Sequence, residues 1–286
     1  FITADIFRAY YALDQANVTI ANVRLVTVTN KLVHELQKER GMSAGYIGSK
    51  GTMFTSELKN QRAITDKEVN NLKTFMVDTN YHEHTNKTTQ QLFNSLRQLQ
   101  TIRQQVDSLN IALSNALGYY TGNNLLILDL NGYLASELEE ASSSERFLTL
   151  YNIAYAKEQA GIERAVLNNV FASGSFTSAL FSRYIELVTK QDTYIKSAYT
   201  VATLDYRKEL DLFVRSKESL DVQRFRDIAE NTENEFNVEA NDWFSAATAR
   251  IDKLKSTEQT LLDETVLYAQ ENVSSKLRII IFESIV

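Results

Sequence analysis

The chain has 286 residues, no cysteine, no proline and a formal net charge of −6, with a pI near 5.3. Without cysteine there is no disulfide frame, thiolate metal site or cysteine nucleophile, and the acidic balance argues against the basic face of a nucleic-acid binder. Average usage would supply about 14 prolines, and because helix interiors exclude proline while turns use it, their absence points to an all-α protein with few loops.

Residues 1–47 read as one long helix. Val18, Ala21, Leu25, Val28 and Leu32 form a narrow apolar seam at 3-4-3-4 spacing. Leu13, Ala16, Ile20 and Val23 form a second, shorter one that stops at Thr27. Two seams need two neighbours, and a symmetric dimer mate is the simplest candidate for one of them. The stretch Leu36–Gly51 holds four of the nine glycines, Gly41, Gly45, Gly48 and Gly51. Glycine inside a helix costs about 0.8–1 kcal/mol relative to alanine, so the cluster marks a close backbone approach or a helix end.

A second helix is expected over 56–75, with Leu58, Ile64, Val69 and Leu72 inward, then a polar turn over 78–86. A third spans 88–117 on the stripe Leu92, Leu96, Leu99, Ile102, Val106, Leu109 and Leu113. Gly118–Asn124, GYYTGNN, reads as the strongest turn of the first half, followed by a helix over 125–140. Ser142 and Glu145 have capping-box spacing for a helix to Phe171. Further helices are expected over 178–203, 204–218 and 222–229, a loop over 230–237, and a last long helix from Glu239. The chain starts at Phe1 and ends in rising apolar density, which suits either a terminal core helix or a sensor region cut beside two membrane spans. No run of eighteen apolar residues makes a complete span.

A weak internal repeat is visible. Glu39-Arg40 is followed by Ser49, Gly51 and Phe54, Glu163-Arg164 by Ser173, Gly174 and Phe176, and each half then reaches a glutamine, Gln61 or Gln191. Small and apolar residues flank Arg40 and Arg164. A guanidinium on such a face needs a partner. Adjacent helix positions point about 100° apart, so Glu39 and Glu163 would pair across helices; the arginines are interhelix bridges or an anion site. Arg62 and Asp66 are spaced for an i,i+4 pair. His34, His82 and His84 lack the Glu-x-x-His spacing of a bundle metal site, and GMSAG, Gly41–Gly45, matches G-x-S-x-G without its strand-to-helix context.

HELQKERGMSAGYIGSKG, LKNQRAITD and the later AKEQAGIERAVLNNVFASGSF resemble the NIT domain, a nitrate- and nitrite-sensing family of bacterial receptors, over roughly residues 30–270. The resemblance implies an all-α fold of two stacked four-helix bundles sharing long N- and C-terminal helices. One bundle, membrane-proximal, would take the terminal helices and roughly 125–240; the distal one would take roughly 40–125 with adjoining helices. It implies nitrate or nitrite held by arginines inside the bundle. Carried onto this chain, the first is Arg40, with Gly41, Ser43 and Gly45 beside it. The second is Arg164, with Arg224 and Arg226 as fallbacks. No cofactor and no enzymatic step are implied. The expected context is the periplasmic ligand-binding region of an inner-membrane, methyl-accepting chemotaxis-type receptor. It would be a homodimer without a nucleic-acid partner, with membrane spans and a cytoplasmic signalling domain outside this chain. WFSAATARIDKLKSTEQTLLDE is similar to the part of such receptors that leads to a span. A sensor of another small anion or organic ligand, or a helical interaction bundle without a ligand, stands as the alternative.

Overall fold

A computed structural model describes residues 2–77, 81–232 and 236–285. Parts of two expected turns, 78–80 and 233–235, and the terminal Phe1 and Val286 lie outside the described residues. Among the described residues ten helices follow one another: α1 (Ile2–Gly48), α2 (Thr55–Val77), α3 (Glu83–Leu96), α4 (Leu99–Asp107), α5 (Leu113–Ser136), α6 (Ala141–Ser173), α7 (Ser178–Val201), α8 (Leu204–Val214), α9 (Lys217–Asn231) and α10 (Ala240–Ile285). No strand occurs among the described residues, so the all-α class holds. The chain divides into two units, Phe1–Ser144 with Thr265–Val286, and Glu145–Glu264.

In the first unit, α1 packs against α2 and α5. Its buried face carries Ala16, Val23, Leu25, Val26, Leu32, Val33 and Leu36, but also Thr19, Asn22, Thr29 and Asn30. The polar members find partners on α5. Asn22 Nδ2 donates to the Leu134 carbonyl, Thr29 Oγ1 to Asn131 Oδ1 at 2.8 Å, and Asn131 Nδ2 to Asn30 Oδ1 at 2.9 Å. Numbers rise along α1 as they fall along α5, so the two helices run antiparallel. The two apolar seams read from the sequence are thus edges of one wider face whose middle is partly polar.

α1 ends in a Schellman-type turn. Gly51 N–H reaches back to the Tyr46 carbonyl and Lys50 N–H to Ile47, with Lys50 left-handed at φ 53°. Gly45 makes room for a ring: a Cβ there would lie 2.5 Å from Phe54 Cε2. Phe54 and Tyr46 border an apolar cluster of Leu58, Val106 and Ala116.

The helix expected over 88–117 is two helices and the start of a third. At Arg97 and Gln98 the backbone stays in the right-handed region (φ/ψ −61/−25° and −81/−10°), so the stripe reads on through the break. At Leu109 it turns left-handed, φ 55°, and Asn110 N–H bonds the Gln105 carbonyl to close α4. Leucine carries no turn signal, so this end is invisible in the sequence. GYYTGNN is not a turn; it lies inside α5, where Tyr120, Asn123 and Asn124 are buried. Their tertiary contacts outweigh the roughly 0.8–1 kcal/mol that each of Gly118 and Gly122 costs the helix. α6 begins one residue before the expected cap, and Glu140 accepts from the Ser143 hydroxyl.

The second unit has an aromatic core. Phe171 of α6, Tyr184 of α7, Val222 and Ala229 of α9, Phe236, and Trp243 and Ala247 of α10 are buried together. Trp243 is fully enclosed, edge-on to Phe171 at 6.0 Å and to Phe225 at 5.8 Å. Side-chain caps start two of its helices: Thr177 Oγ1 accepts from Leu180 N–H at α7, and Ser216 Oγ from Ser219 N–H at α9.

Candidate functional site

Each Glu-Arg dipeptide splits its duties, because the two side chains leave the helix in different directions. In the first unit Glu39 faces inward and is wholly buried. Arg103 of α4 binds it with both edges of the fork, Nε to Oε1 at 2.8 Å and Nη2 to Oε2 at 2.9 Å. The Tyr120 hydroxyl adds a bond to Oε1 at 2.8 Å. Arg103 Nη1 reaches a second carboxylate, Asp66 of α2, at 2.7 Å. Arg40, also buried, donates from Nη1 to Thr121 Oγ1 at 2.8 Å.

The second unit repeats the frame. Arg226 of α9 binds the buried Glu163 through Nε to Oε1 at 2.7 Å and Nη2 to Oε2 at 2.8 Å. Gln191 of α7 donates to Glu163 Oε2 at 2.7 Å, and its Oε1 accepts from Arg226 Nη2 at 3.0 Å. Arg164, half-buried, donates from Nη1 to Thr248 Oγ1 at 2.8 Å and lies over the Phe244 ring. Its carbonyl accepts from Trp243 Nε1 at 3.0 Å.

One more guanidinium enters here. Arg250 of α10 is 6% exposed. It donates from Nη1 to Gln191 Oε1 at 2.8 Å and lies 5.4 Å from the Phe213 ring centre. Among the described residues no carboxylate is in ion-pair contact with it, and its Nε and Nη2 have no acceptor. Burial, with the neighbouring charge of Arg226, pulls its pKa down from 12.5 to about 10. Arg226 and Arg103 go the other way: burial opposes the charge, but Glu163 and Glu39 with Asp66 outweigh it and raise both. Among the four side chains Glu163, Gln191, Arg226 and Arg250, one carboxylate, Glu163, faces two enclosed guanidiniums, and the exposed Asp192 adds a further favourable charge from outside the cluster.

Of the residues singled out in the sequence, Arg40 and Ser43 are buried in the first unit, Ser43 beside Tyr120, with Gly41 and Gly45 half-buried nearby. Arg164 and Arg226 lie in the second. Arg224 is exposed and tied to Asp221 at 2.9 Å. Arg62 and Asp66 do not pair along their helix; Arg62 bonds Asp107 and Asp66 bonds Arg103. GMSAG is helical throughout. His82 lies 4.0 Å from Glu137, and His84 stacks on Tyr133. Sequence reading missed Arg103, Gln191 as a bridge, and Arg250.

The fold and the site first define a class: an all-α protein with guanidinium groups enclosed between helices. The profile of the family described as nitrate and nitrite sensing, NIT, matches residues 31–266, and the chain belongs to that family. It is 24% identical over 245 residues to the nitrate regulatory protein of Klebsiella oxytoca, an alignment covering 81% of this chain and 59% of that protein. The chain thus spans less than two thirds of that relative's length. The structure of the NasR transcription antiterminator is similar with a TM-score of 0.85 at 22% identity, over 98% of this chain and 78% of that one, a likeness of fold.

These comparisons correct the expected context. The reading as the periplasmic region of a transmembrane chemotaxis receptor is overturned: the relatives found are a nitrate regulatory protein and a transcription antiterminator. Among the described residues no helix is long and apolar enough to cross a membrane. In the apolar C-terminal stretch Ile280 is buried while Leu277, Ile279, Ile281 and Phe282 are exposed. The exclusion of a nucleic-acid partner, argued from net charge alone, falls with the antiterminator likeness. Net charge averages over the whole surface and says nothing of a local patch or of a region outside the chain.

Proposed function

We propose that this chain senses nitrate or nitrite at an enclosed site in the second unit, held by Arg226 and Arg250, and passes occupancy to an output on transcription rather than catalysing a reaction. Family membership supports the ligand class, and the relative's role as a nitrate regulatory protein supports the output. The observation that carries the site is Arg250, a buried cation with no carboxylate in ion-pair contact among the described residues. An unpaired buried charge costs several kcal/mol, which an anion beside it offsets. Nitrate is planar with one negative charge, matching the planar donor fork of a guanidinium and the net charge of the cluster. Arg164, next in sequence to Glu163, lies in the same unit on Thr248 and Phe244. Arg40, with Gly41, Ser43 and Gly45, occupies the matching place of the first unit.

The test is thermal unfolding with nitrate, nitrite, sulfate, acetate and amino acids, on the wild type and on Arg250→Gln, Arg164→Ala and Arg40→Ala. A ligand at 100 times its Kd stabilises by about 2.7 kcal/mol, so nitrate or nitrite is expected to raise the Tm. Arg250→Gln should fold and lose the shift. No shift with any compound would make the bundle ligand-free, a preference for another compound would change the ligand, and an unchanged shift in Arg250→Gln would move the site elsewhere.

A further inference from the structure

The two clusters can be laid on one register. Glu39–Arg103 and Glu163–Arg226 are 64 and 63 residues apart, and Arg40–Thr121 and Arg164–Thr248 are 81 and 84 apart. On that register Asp66, on the helix after α1, stands where Gln191 stands on the helix after α6; each meets the arginine of its own unit, Asp66 at Nη1 of Arg103 and Gln191 at Nη2 of Arg226. Two residues beyond each threonine come Asn123 and Arg250. The frame is shared and these two positions differ. Glu39, Asp66, Arg103 and Asn123 hold two carboxylates and one guanidinium, net −1; Glu163, Gln191, Arg226 and Arg250 hold one carboxylate and two guanidiniums, net +1.

We infer that the first unit contains a second anion site kept shut by Asp66, whose carboxylate takes the edge of Arg103 that an external oxyanion would use. The inference rests on the second unit being the nitrate site. Arg103 is 4% exposed, whereas the Asp66 side chain is 54% exposed, so Asp66 closes the cluster from its solvent side. At the register position of Arg250, Asn123 is buried, its Nδ2 donates to the Tyr119 carbonyl, and its Oδ1 has no donor among the described residues. A buried polar side chain thus stands at the matching position, while the charge that would attract an anion has been exchanged. The carboxylate of Asp66 is a covalently attached stand-in for a small planar monoanion and restricts nitrate to one unit.

Nitrate is titrated calorimetrically into the wild type, Arg250→Gln, Asp66→Asn/Arg250→Gln and Gln191→Glu, with helicity and Tm recorded for each. The wild type is expected to bind one nitrate per chain and Arg250→Gln none. Asp66→Asn/Arg250→Gln should regain saturable binding, at least about tenfold tighter than any residual binding in Arg250→Gln. Gln191→Glu, which adds a carboxylate beside Arg226 and Arg250 while removing the donor to Glu163, should abolish binding in a chain that keeps its helicity. If folded Asp66→Asn/Arg250→Gln, and Asp66→Ala in the same background, bind no better than Arg250→Gln, the shut site does not exist. Wild-type protein that binds no nitrate, or Arg250→Gln that binds like wild type, would instead sink the reading of the second unit.

Discussion

Glu163 takes three hydrogen bonds from two side chains, and the positive charge around it exceeds its own. Replacing it by glutamine would leave Arg226 and Arg250 enclosed with only amides between them. Breaking a buried pair from one side costs about 3–5 kcal/mol, so Glu163→Gln should lower stability by that order in urea unfolding. Saturating nitrate should recover part of the loss, because the anion replaces the missing charge. Which arginine is short of a counter-ion could not be read from spacing. Glu163 and Arg226 lie 63 residues apart and Gln191 and Arg250 lie 59 apart. In the sequence Arg250 looks like any charged residue on a long amphipathic helix.

At the scale of the element, α5 carries two glycines that packing does not require. A Cβ on Gly118 or Gly122 meets nothing within 4 Å. Gly118→Ala and Gly122→Ala are each expected to raise stability by about 0.8–1 kcal/mol, read as a higher Tm. Gly45→Ala should do the opposite by about 1–3 kcal/mol, the usual cost of overpacking, because its Cβ falls against the Phe54 ring. Long helices were legible where apolar spacing ran on undisturbed, as in α1, α7 and α10. The misreadings came where local signals and tertiary contacts disagree. Glycines announced a turn that Tyr120 and its bond to Glu39 keep helical, and a leucine hid the left-handed end of α4. The repeat was visible only as two short motifs, since its arginine partners sit on helices with no shared local signature.

For the whole molecule, two enclosed glutamates contribute to the acid limb of stability. Burial works against ionising Glu163 and Glu258. In each case the neighbouring cations prevail, Arg226 and Arg250 for the first, Lys157 and Lys255 for the second, so both fold with pKa values below the ordinary 4.5. A carboxyl depressed in the folded state binds protons more readily unfolded, so its stabilisation is present above 4.5 and is lost as the pH falls through the folded value. Melting followed from about pH 6 to about pH 3 should show a flat upper part and a steep fall below the ordinary glutamate value. A Tm unchanged to the acid end would mean that neither glutamate is ionised in the native protein.

The single tryptophan gives the second unit an optical handle. Trp243 is sealed in its aromatic core with the indole N–H on the carbonyl of Arg164, the residue that follows Glu163. Tryptophan emission from the unlabelled chain therefore originates in the half that holds Arg250, and a quencher-free change of its wavelength on adding salt would report on that half alone.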